Sequence, residues 1–448
     1  MNERVLVKQL LGRPDGTVSV SGWVETVRDQ KKVQFIVLRD ESGAVQLVNP
    51  ATRALPEGEE PTAEASAALA LTETISALAT GTFLTVHGAL KHDERVKLGG
   101  VEIKIGSLDI AAAALPETPI AADSGLDKRM DWRFLDLRQA RNNLIFRVQT
   151  TLEHAMRTYW IERDYIEVHS PKLMASASES NAELFALEYF DTTAYLAQSP
   201  QFFKQMAQSA GFGKIFEIGD VYRADPSFTS RHATEFTSID AEISWIDSHE
   251  DVARMQEELL AFAIAAVKAK HGEEIEKLFE LTIEVPALPF PRIPLAEALE
   301  IVAARGHEIV RTDGDLDPEG ERQISAHVKE TYGHDFVYIT DYPAHIRAFY
   351  HMRDEETGLT KSYDLLYKGV EITTGAQREH RVDVLIEQAK EKGLDPEHLE
   401  FYFDFFRYGV PPHGGFGMGL ARLLMLLLGE SSIREVTYLF RGPTRLQP

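Results

Sequence analysis

An arginine, a phenyl ring and two carboxylates share one predicted hairpin, the stretch GDVYRADPSFTSRHATEFTSIDAEISW at residues 219–245. Arg223 lies on the first strand, and even spacing along the return strand places Phe236, Asp240 and Glu242 on one face. Arginine binds phosphate, phenylalanine stacks on a base, and carboxylates bind an amine or a metal ion. This face therefore suits a nucleotide, although a solvated face with a surface ion pair is an equally good interpretation.

Two further stretches carry charged and hydroxyl side chains. In YKGVEITTGAQREHR, Glu371 and Thr374 are three residues apart. A carboxylate and a hydroxyl close together can hold a phosphate-bound Mg²⁺, which takes few protein ligands. Arg378 follows and can make a bidentate pair with a carboxylate. In AYLAQSPQFFKQ, Lys204 can neutralise an acidic ligand. Taken alone, the first stretch is more simply a strand end followed by a capped helix, and Lys204 is equally well a solvated charge.

A glycine-rich run, HGGFGMGLARLLM at residues 413–425, leads into an apolar helix. No lysine follows Gly419, so the run is not a P-loop, and the alternate glycines Gly415, Gly417 and Gly419 do not fit a dinucleotide fingerprint. Arg422 lies one turn into the helix. Taken alone, the run predicts a tight turn that packs a helix closely.

These side chains need elements to position them, and residues 1–110 supply a first set. The segments TVSVSGWVETV, VQFIVLRD, GAVQLVNP, GTFLTVHGAL and VEIKIGSLDI alternate apolar and polar residues and are separated by turn residues. Five strands in this length predict a small closed barrel of the OB type. Residues 51–80 are rich in Ala, Glu and Thr and predict a surface loop with one helix between the third and fourth strands.

A second domain is predicted at residues 133–448, after a hinge at residues 111–132. It opens with the long helix RNNLIFRVQTTLEHAMRTYWIERD, and the predicted strands AYLAQSP, KIFEIGDVYRAD, FTSIDAEISWI, DFVYITDYP, AFYHMRD and SYDLLYKGVEITTG follow. Regular crossover helices do not separate these strands. The pattern therefore favours an α+β fold with an antiparallel sheet over a doubly wound parallel one.

The composition limits the function classes. Hydrophobic residues make up 44% of the 448 residues and charged residues 26%, as in ordinary globular proteins. The absence of cysteine excludes disulfides and thiolate metal sites. No apolar run is long enough to span a membrane and the first residues do not resemble a secretory signal, so we expect a cytoplasmic protein without membrane contact. The net charge of −23 argues against a nucleic-acid partner, although a large enzyme can carry a local basic surface.

Taken together, the stretches resemble the class II aminoacyl-tRNA synthetases, and most closely the aspartyl-tRNA synthetases of the short, archaeal type. RDYIEVHSPKL resembles the family's first motif, VYRAD with RHATEFTSIDAE the second, and GGFGMGLAR the third; QSPQFFKQ and GAQREHR, between them, resemble the aspartyl type. The resemblance covers nearly the whole chain. It implies ATP-dependent activation of L-aspartate and its transfer to tRNA(Asp), and leaves open whether tRNA(Asn) is charged too. It also implies Mg²⁺, an anticodon-binding OB domain, and a homodimer formed around Pro171.

The resemblance implies a bent ATP across the antiparallel sheet, with Arg223 on the α-phosphate. Phe236 and Arg422 would stack on opposite sides of the adenine, and Arg422 would reach the γ-phosphate. The ATP-binding residues implied in this way are Arg223, Asp225, Arg231, His232, Phe236, Glu371, Gly417, Gly419 and Arg422, of which Arg223 and Arg422 are the catalytic pair. The implied Mg²⁺ ligands are Glu371 and Thr374.

The implied aspartate-binding residues are Glu179, Gln201, Lys204, Asp240, Thr374 and Arg378. The substrate's side-chain carboxylate would lie on Lys204 and Arg378, and its amino group would face Asp240, Gln201 and Glu179. We expect asparagine to leave the two cations without a counter-charge. In the barrel, the resemblance implies anticodon contacts at Arg28, Phe35, Gln46 and Glu102. A core position in the barrel is the alternative for Phe35.

Three departures from the family pattern stand out. Ala421 replaces the usual glutamate before the arginine of the third motif, Asp225 replaces a glutamate, and Ser180 and Asn181 replace paired glycines. Because Ala421 leaves Arg422 in place, we expect activity to persist. The alternatives are an asparaginyl-tRNA synthetase, against which Lys204 argues, an ammonia-dependent asparagine synthetase, against which the barrel argues, and a paralogue that has lost or altered catalysis.

Overall fold

A computed structural model describes residues 5–54, 62–121, 123–176 and 183–448 of the chain. The chain divides into two compact units, Met1–Ala140 and Arg141–Pro448. No helix among the described residues combines the length and apolar character needed to cross a membrane.

The first unit is built on five strands that close into a barrel. The strands are β1 (Gly16–Asp29), β2 (Val33–Asp40), β3 (Gly43–Pro50), β4 (Phe83–His92) and β5 (Val101–Ala112). Their order around the barrel is β1-β2-β3-β5-β4, with β3 and β5 parallel. The helical segments of this unit are a 3₁₀ turn (Val7–Gly12), α1 (Ala63–Ser76), α2 (Leu126–Asp131) and α3 (Arg133–Asp136). The predicted OB barrel is confirmed, and α1 lies where the sequence predicts a helix.

The second unit is built on a large sheet with flanking helices. Its strands are β6 (Ile166–Glu167), β7 (Leu173–Met174), β8 (Ala186–Tyr189), β9 (Thr192–Leu196), β10 (Lys214–Tyr222), β11 (Glu235–Ser244), β12 (Arg292–Pro294), β13 (Phe336–Pro343), β14 (Leu359–Tyr367), β15 (Val370–Gln377) and β16 (His413–Gly419). Its helical segments are α4 (Ala140–Ile161), α5 (Gln201–Ser209), α6 (His249–Phe279), α7 (Leu295–Ala304), α8 (Pro318–Tyr332), α9 (Val382–Glu391), a 3₁₀ turn (Pro396–Leu399), α10 (Glu400–Arg407), α11 (Leu420–Leu427) and α12 (Ile433–Val436).

The large sheet has eight strands in the order β12-β13-β14-β15-β16-β11-β10-β6. The neighbours from β13 to β10 are antiparallel, and the outer pairs β12–β13 and β10–β6 are parallel. The predicted α+β fold is therefore confirmed, with a sheet that is antiparallel in its centre and parallel at its two edges. Strands β7, β9 and β8 form a separate small sheet.

The glycine-rich run forms the central strand β16, so the prediction of a tight turn is wrong. It pairs with β11 on one side and β15 on the other. A Cβ atom on Gly415 would overlap the carbonyl oxygen of Ala241 and the carboxylate of Glu242. Glycine is needed here because neighbouring groups approach the backbone, and the helix α11 begins only after the strand ends.

The segment AFYHMRD is also not a strand, contrary to the prediction. Only isolated bridges form there, His351 with Arg378 and Arg353 with Thr360. The His351 N–H donates to the Ala348 carbonyl at 3.2 Å, which closes a backbone turn within the segment. Residues in such a turn cannot continue a strand ladder.

Candidate functional site

A cavity of about 390 Å³ lies in the second unit, on the central strands of the large sheet. Every predicted ATP- or aspartate-binding residue that the structure describes lines it, namely Gln201, Lys204, Arg223, Asp225, Arg231, His232, Phe236, Asp240, Glu371, Thr374, Arg378, Gly417, Gly419 and Arg422. Glu179 lies outside the described residues. Residues from distant parts of the sequence, such as Gln201 and Arg422, thus line one cavity.

Two buried cations occupy one end of this cavity, each beside a carboxylate. Lys204 Nζ lies 2.8 Å from Asp240 Oδ1, and Arg378 Nε donates to Glu242 Oε1 at 3.1 Å. The β11–β16 register explains the arrangement, because Asp240 and Glu242 face glycines of β16 and so lie over bare backbone. Lys204 comes from the first turn of α5, which packs on β11.

The partners of these cations correct one expectation. Asparagine would not leave Lys204 and Arg378 without a counter-charge, because Asp240 and Glu242 already supply one. The Lys204 ammonium also donates to the Phe416 carbonyl at 2.9 Å. An ammonium has three N–H groups, so one remains after these two bonds to described residues, with Glu242 Oε2 at 3.6 Å from Nζ as a longer ion-pair contact. That remaining donor suits an oxygen acceptor of a ligand.

The other end of the cavity carries three arginines. Arg422 is held by two backbone carbonyls, with Nε donating to Arg231 at 3.2 Å and Nη1 donating to Glu371 at 2.9 Å. Burial lowers the pKa of Arg422, but a guanidinium keeps its proton in proteins. The Arg223 guanidinium lies 5.6 Å from the centre of the Phe236 ring. Arg231 pairs with Glu321 at 2.7 Å. This end of the cavity can neutralise a polyanion.

His232 and Asp225 lie at the edge of the same end. Their side chains approach to 4.0 Å, and the His232 ring is also hydrogen-bonded to the hydroxyl of Thr229. Burial and the charge of Arg422 lower the pKa of His232, which favours the neutral form of the ring. A neutral ring can donate one hydrogen bond to a phosphate oxygen without adding charge.

Glu371 and Thr374 meet an acidic residue that the sequence reasoning missed. Thr374 Oγ1 donates to Asp364 Oδ1 at 2.8 Å and lies 3.4 Å from Glu371 Oε1. Asp364 in turn pairs with the buried Arg347 at 2.8 Å. Burial and the neighbouring Asp364 carboxylate raise the pKa of Glu371 to about 7. The neutral form of Glu371 is therefore favoured until a nearby cation stabilises the ionised carboxylate.

The oxygen ligands at Glu371, Asp364 and Thr374 fit a hard cation such as Mg²⁺. Within the described ranges, no group of three or more His, Asp or Glu side chains is arranged to hold a metal ion. Two carboxylates and a hydroxyl suffice only for an ion that keeps other oxygen ligands, as phosphate-bound Mg²⁺ does. The sequence does contain a signal for Asp364, the Lys368–Gly369 turn between β14 and β15. Pairing the two strands residue by residue from this turn places Asp364 opposite Thr374 to within one residue.

In the first unit, the four predicted anticodon residues form one chain of contacts. The Arg28 guanidinium lies 5.1 Å from the centre of the Phe35 ring and donates to Gln46 Oε1 at 3.2 Å. Gln46 Nε2 donates to Glu102 Oε2 at 3.1 Å. Strand alternation puts Ile36 in the barrel interior and Phe35 on the outer face, so the core alternative for Phe35 is wrong. The chain of contacts offers a ring and hydrogen-bonding groups to an unstacked base.

Comparisons with known proteins agree with this geometry. The family model "tRNA synthetases class II (D, K and N)" matches residues 125–441, and the model "OB-fold nucleic acid binding domain" matches residues 18–111. The aspartate–tRNA(Asp) ligase of Pyrococcus abyssi is 40% identical over 438 residues, and the match covers 96% of each chain. The aspartate–tRNA(Asp/Asn) ligase of Methanopyrus kandleri is 41% identical over 438 residues, again with 96% of each chain covered.

A solved structure extends the likeness to the whole fold. The asparaginyl-tRNA synthetase of Pyrococcus horikoshii, complexed with asparaginyl-adenylate, superposes with a TM-score of 0.89 at 31% sequence identity. The match covers 100% of both chains. Both units therefore have counterparts in the fold of that protein.

Proposed function

The chain belongs to the class II tRNA synthetases of the D, K and N group, and from this premise we propose that it activates L-aspartate with ATP and transfers it to tRNA(Asp). The observation that carries the choice of amino acid is the buried pair of cations, Lys204 and Arg378, at one end of the cavity. A side-chain carboxylate placed there would accept from charged donors, which a neutral amide does less strongly.

The proposed chemistry needs no nucleophile from the protein. The α-carboxylate of aspartate attacks the α-phosphorus of ATP, aspartyl-adenylate forms, and pyrophosphate leaves. Arg223 would hold the α-phosphate, Arg231 and Arg422 would neutralise the β- and γ-phosphates, and His232 would donate a hydrogen bond to them. Asp240 and Gln201 would bind the substrate's amino group. The terminal ribose hydroxyl of tRNA then attacks the adenylate, so the protein acts by positioning and by charge stabilisation.

Mg²⁺ is the metal ion we propose for this site. Glu371, Thr374 and Asp364 would hold it, in keeping with their oxygen ligands and with the raised pKa of Glu371. Bound there, the ion would supply further neutralisation of phosphate charge. Arg347 would keep the Asp364 carboxylate turned toward the site.

The barrel residues support a role in anticodon binding, and the domain limits we propose are 1–110, 111–132 and 133–448. Whether the chain charges tRNA(Asn) as well as tRNA(Asp) is a finer question. We propose tRNA(Asn) as a second candidate substrate, because relatives of both kinds match the chain to the same extent, 40% and 41%. The proposed compartment is the cytoplasm, where tRNA charging serves translation.

A homodimer is proposed through the region around Pro171. The preceding strand β6 lies at the edge of the large sheet. Ile166 in this strand and Ile161 at the end of α4 are exposed apolar residues. An open strand edge with apolar neighbours suits pairing across a two-fold axis, the commonest closed symmetry.

Pyrophosphate exchange tests the proposed function directly. We expect exchange into ATP that depends on L-aspartate, with L-asparagine supporting it at least about a hundredfold less well. Charging of purified tRNA(Asp) and tRNA(Asn) then decides the tRNA scope. Exchange that depends on asparagine instead would identify an asparaginyl enzyme, and no exchange with either amino acid would identify an altered paralogue.

A further inference from the structure

Glu321 belongs to none of the motifs that point to the cavity, yet its carboxylate reaches the phosphate end. Glu321 Oε2 accepts a hydrogen bond from Arg231 Nη1 at 2.7 Å, although the two residues are 90 positions apart in sequence. The Glu321 side chain is 10% exposed and that of Arg231 19% exposed. At this degree of burial, screening by water is reduced and the pair is held in one geometry.

Helix α8 fixes the position of this carboxylate. Asp317 caps the helix by accepting from the Gly320 N–H at 2.7 Å, and Glu321 follows in the first turn. Glu321 Oε2 also lies 3.4 Å from the backbone nitrogen of Glu371, on β15. One side chain on α8 thus contacts both the loop that carries Arg231 and the strand that carries Glu371.

The rest of the Arg231 guanidinium faces the cavity. A guanidinium has five N–H donors, and among the described residues Glu321 is the only side chain to which the Arg231 guanidinium donates. The remaining donors are available to oxygens of a ligand in the cavity. A carboxylate on one edge of the planar fork sets the direction of the other edge, as bidentate arginine recognition requires.

We propose that Glu321 is a positioning residue that holds Arg231 toward the β- and γ-phosphates of ATP, and therefore toward pyrophosphate in the reverse reaction. This inference rests on the proposed function. It separates Glu321 from a simple helix-to-loop contact, because a positioning role acts only on ligands that carry those two phosphates.

The test is Glu321→Gln, which keeps the shape of the side chain and removes its charge. We expect the KM values for ATP and pyrophosphate in exchange to rise about tenfold, the effect of losing one oriented charged hydrogen bond. The KM for aspartate and the Kd for AMP should stay unchanged. The matched control is Glu319→Gln, which makes the same change on the same helix but disrupts an exposed pair with Arg322 instead.

A second background shows whether the effect passes through Arg231. In Arg231→Met, we expect Glu321→Gln to have no further effect on the KM for ATP, because the group it positions is gone. Thermal unfolding verifies that the variants fold. If Glu321→Gln does not fold, the comparison uses Glu321→Asp, which withdraws the carboxylate by one methylene.

Three results would overturn the proposal: an unchanged KM for ATP in a folded Glu321→Gln, an equal loss of AMP binding, or an undiminished effect in the Arg231→Met background. The wild-type chain separates this failure from that of the proposed function. If wild-type exchange depends on aspartate while Glu321→Gln behaves like wild type, only the role of Glu321 is wrong. If wild-type exchange is absent, the proposed function fails first.

Discussion

Lys204 is the residue on which the proposed choice of amino acid depends. Its side chain is 2% exposed, and its ammonium pairs with Asp240 and lies 3.6 Å from Glu242. The structure without ligand therefore already neutralises this charge. Discrimination against asparagine then comes from the stronger hydrogen bond that a charged donor makes with a carboxylate. The free-energy cost of an unpaired buried cation does not contribute to it.

We predict that Lys204→Leu lowers kcat/KM for aspartate roughly 10- to 100-fold while the Kd for ATP changes little, because one charged hydrogen bond to the substrate is lost. The measurement is aspartate-dependent exchange beside equilibrium ATP binding. Loss of a buried partner for Asp240 will also lower stability. The matched control is Lys172→Leu, which breaks a pair with Glu217 outside the cavity and should leave aspartate kinetics unchanged. Unchanged kinetics in Lys204→Leu would refute the assignment.

Glu371 predicts a pH dependence of metal binding. With its pKa raised to about 7, the carboxyl is mostly protonated at pH 6 and mostly ionised at pH 8. A metal ion binds the ionised form, so the apparent affinity for Mg²⁺ should rise as pH increases through 7 and fall by up to about tenfold per unit below it. Calorimetric titration of Mg²⁺ in the presence of ATP at pH 6, 7 and 8 measures this.

The control for this pH dependence is Glu371→Gln, which cannot ionise. It should bind Mg²⁺ more weakly, and its remaining affinity should change much less between pH 6 and 8. A wild-type affinity that is the same at all three pH values would show that Glu371 does not lose a proton when the metal binds.

At the scale of elements, strand β16 controls the spacing of the site. Its glycines let Asp240 and Glu242 lie over the backbone, where they meet Lys204 and Arg378. The two cations come from different parts of the chain, since Lys204 lies in α5 and Arg378 directly follows β15. A change in the distance between β11 and β16 would therefore disturb both ion pairs at once.

Gly415→Ala tests this spacing. The added methyl group would overlap the Ala241 carbonyl and the Glu242 carboxylate, so we predict a loss of about 3 kcal/mol in the free energy of unfolding and a loss of aspartate activation. Chemical denaturation and exchange measure the two effects. Gly272→Ala makes the same chemical change inside helix α6, where the nearest atom is 3.8 Å away, and should be neutral or slightly stabilising. Equal stability of the two variants would contradict the packing argument.

The elements differ in how far the sequence predicts them. Strands β2 and β3 coincide with the predicted segments, because alternation and flanking turns are local signals. Strand β16 was missed because glycine is rare in strands, and only the neighbours Ala241 and Glu242 explain it. The candidate site residues that belong to motifs were predicted from the sequence. Glu321 was not, since its partner Arg231 lies 90 residues away and no local pattern marks the contact.

At the scale of the whole molecule, each unit has its own proposed ligand, so the two activities should separate. We predict that Phe35→Ala lowers kcat/KM for charging tRNA(Asp) by roughly 10- to 100-fold, because one stacked base is worth about 1–3 kcal/mol. Aspartate-dependent exchange, which needs no tRNA, should be unchanged. Phe35→Trp keeps a stacking surface and should retain most of the charging activity. Equal charging by Phe35→Ala and wild type would remove Phe35 from the anticodon contacts.

The proposed dimer gives a second prediction at this scale. Ile166 is 44% exposed on the edge strand β6, and we predict that Ile166→Glu shifts the chain from dimer to monomer in sedimentation velocity, because it places charge in an apolar contact. Val310→Glu adds the same charge at a residue that is 79% exposed in a loop, and should leave the oligomeric state unchanged. A wild-type chain that sediments as an active monomer would exclude the dimer.

The bare central strand also decides how this enzyme can be redesigned. Because β16 presents backbone to the cavity at Gly417 and Gly419, these positions offer no side chain to exchange, and an added Cβ would meet Asp240 at Gly417 and the Arg422 side chain at Gly419. Variant libraries that aim to change which amino acid is activated must instead vary side chains of α5 and of β15, together with Arg378, which directly follows β15. Lys204 and Arg378 are already neutralised by Asp240 and Glu242, so useful variants will come as compensating pairs of substitutions, one at a cation and one at its carboxylate, rather than as single ones.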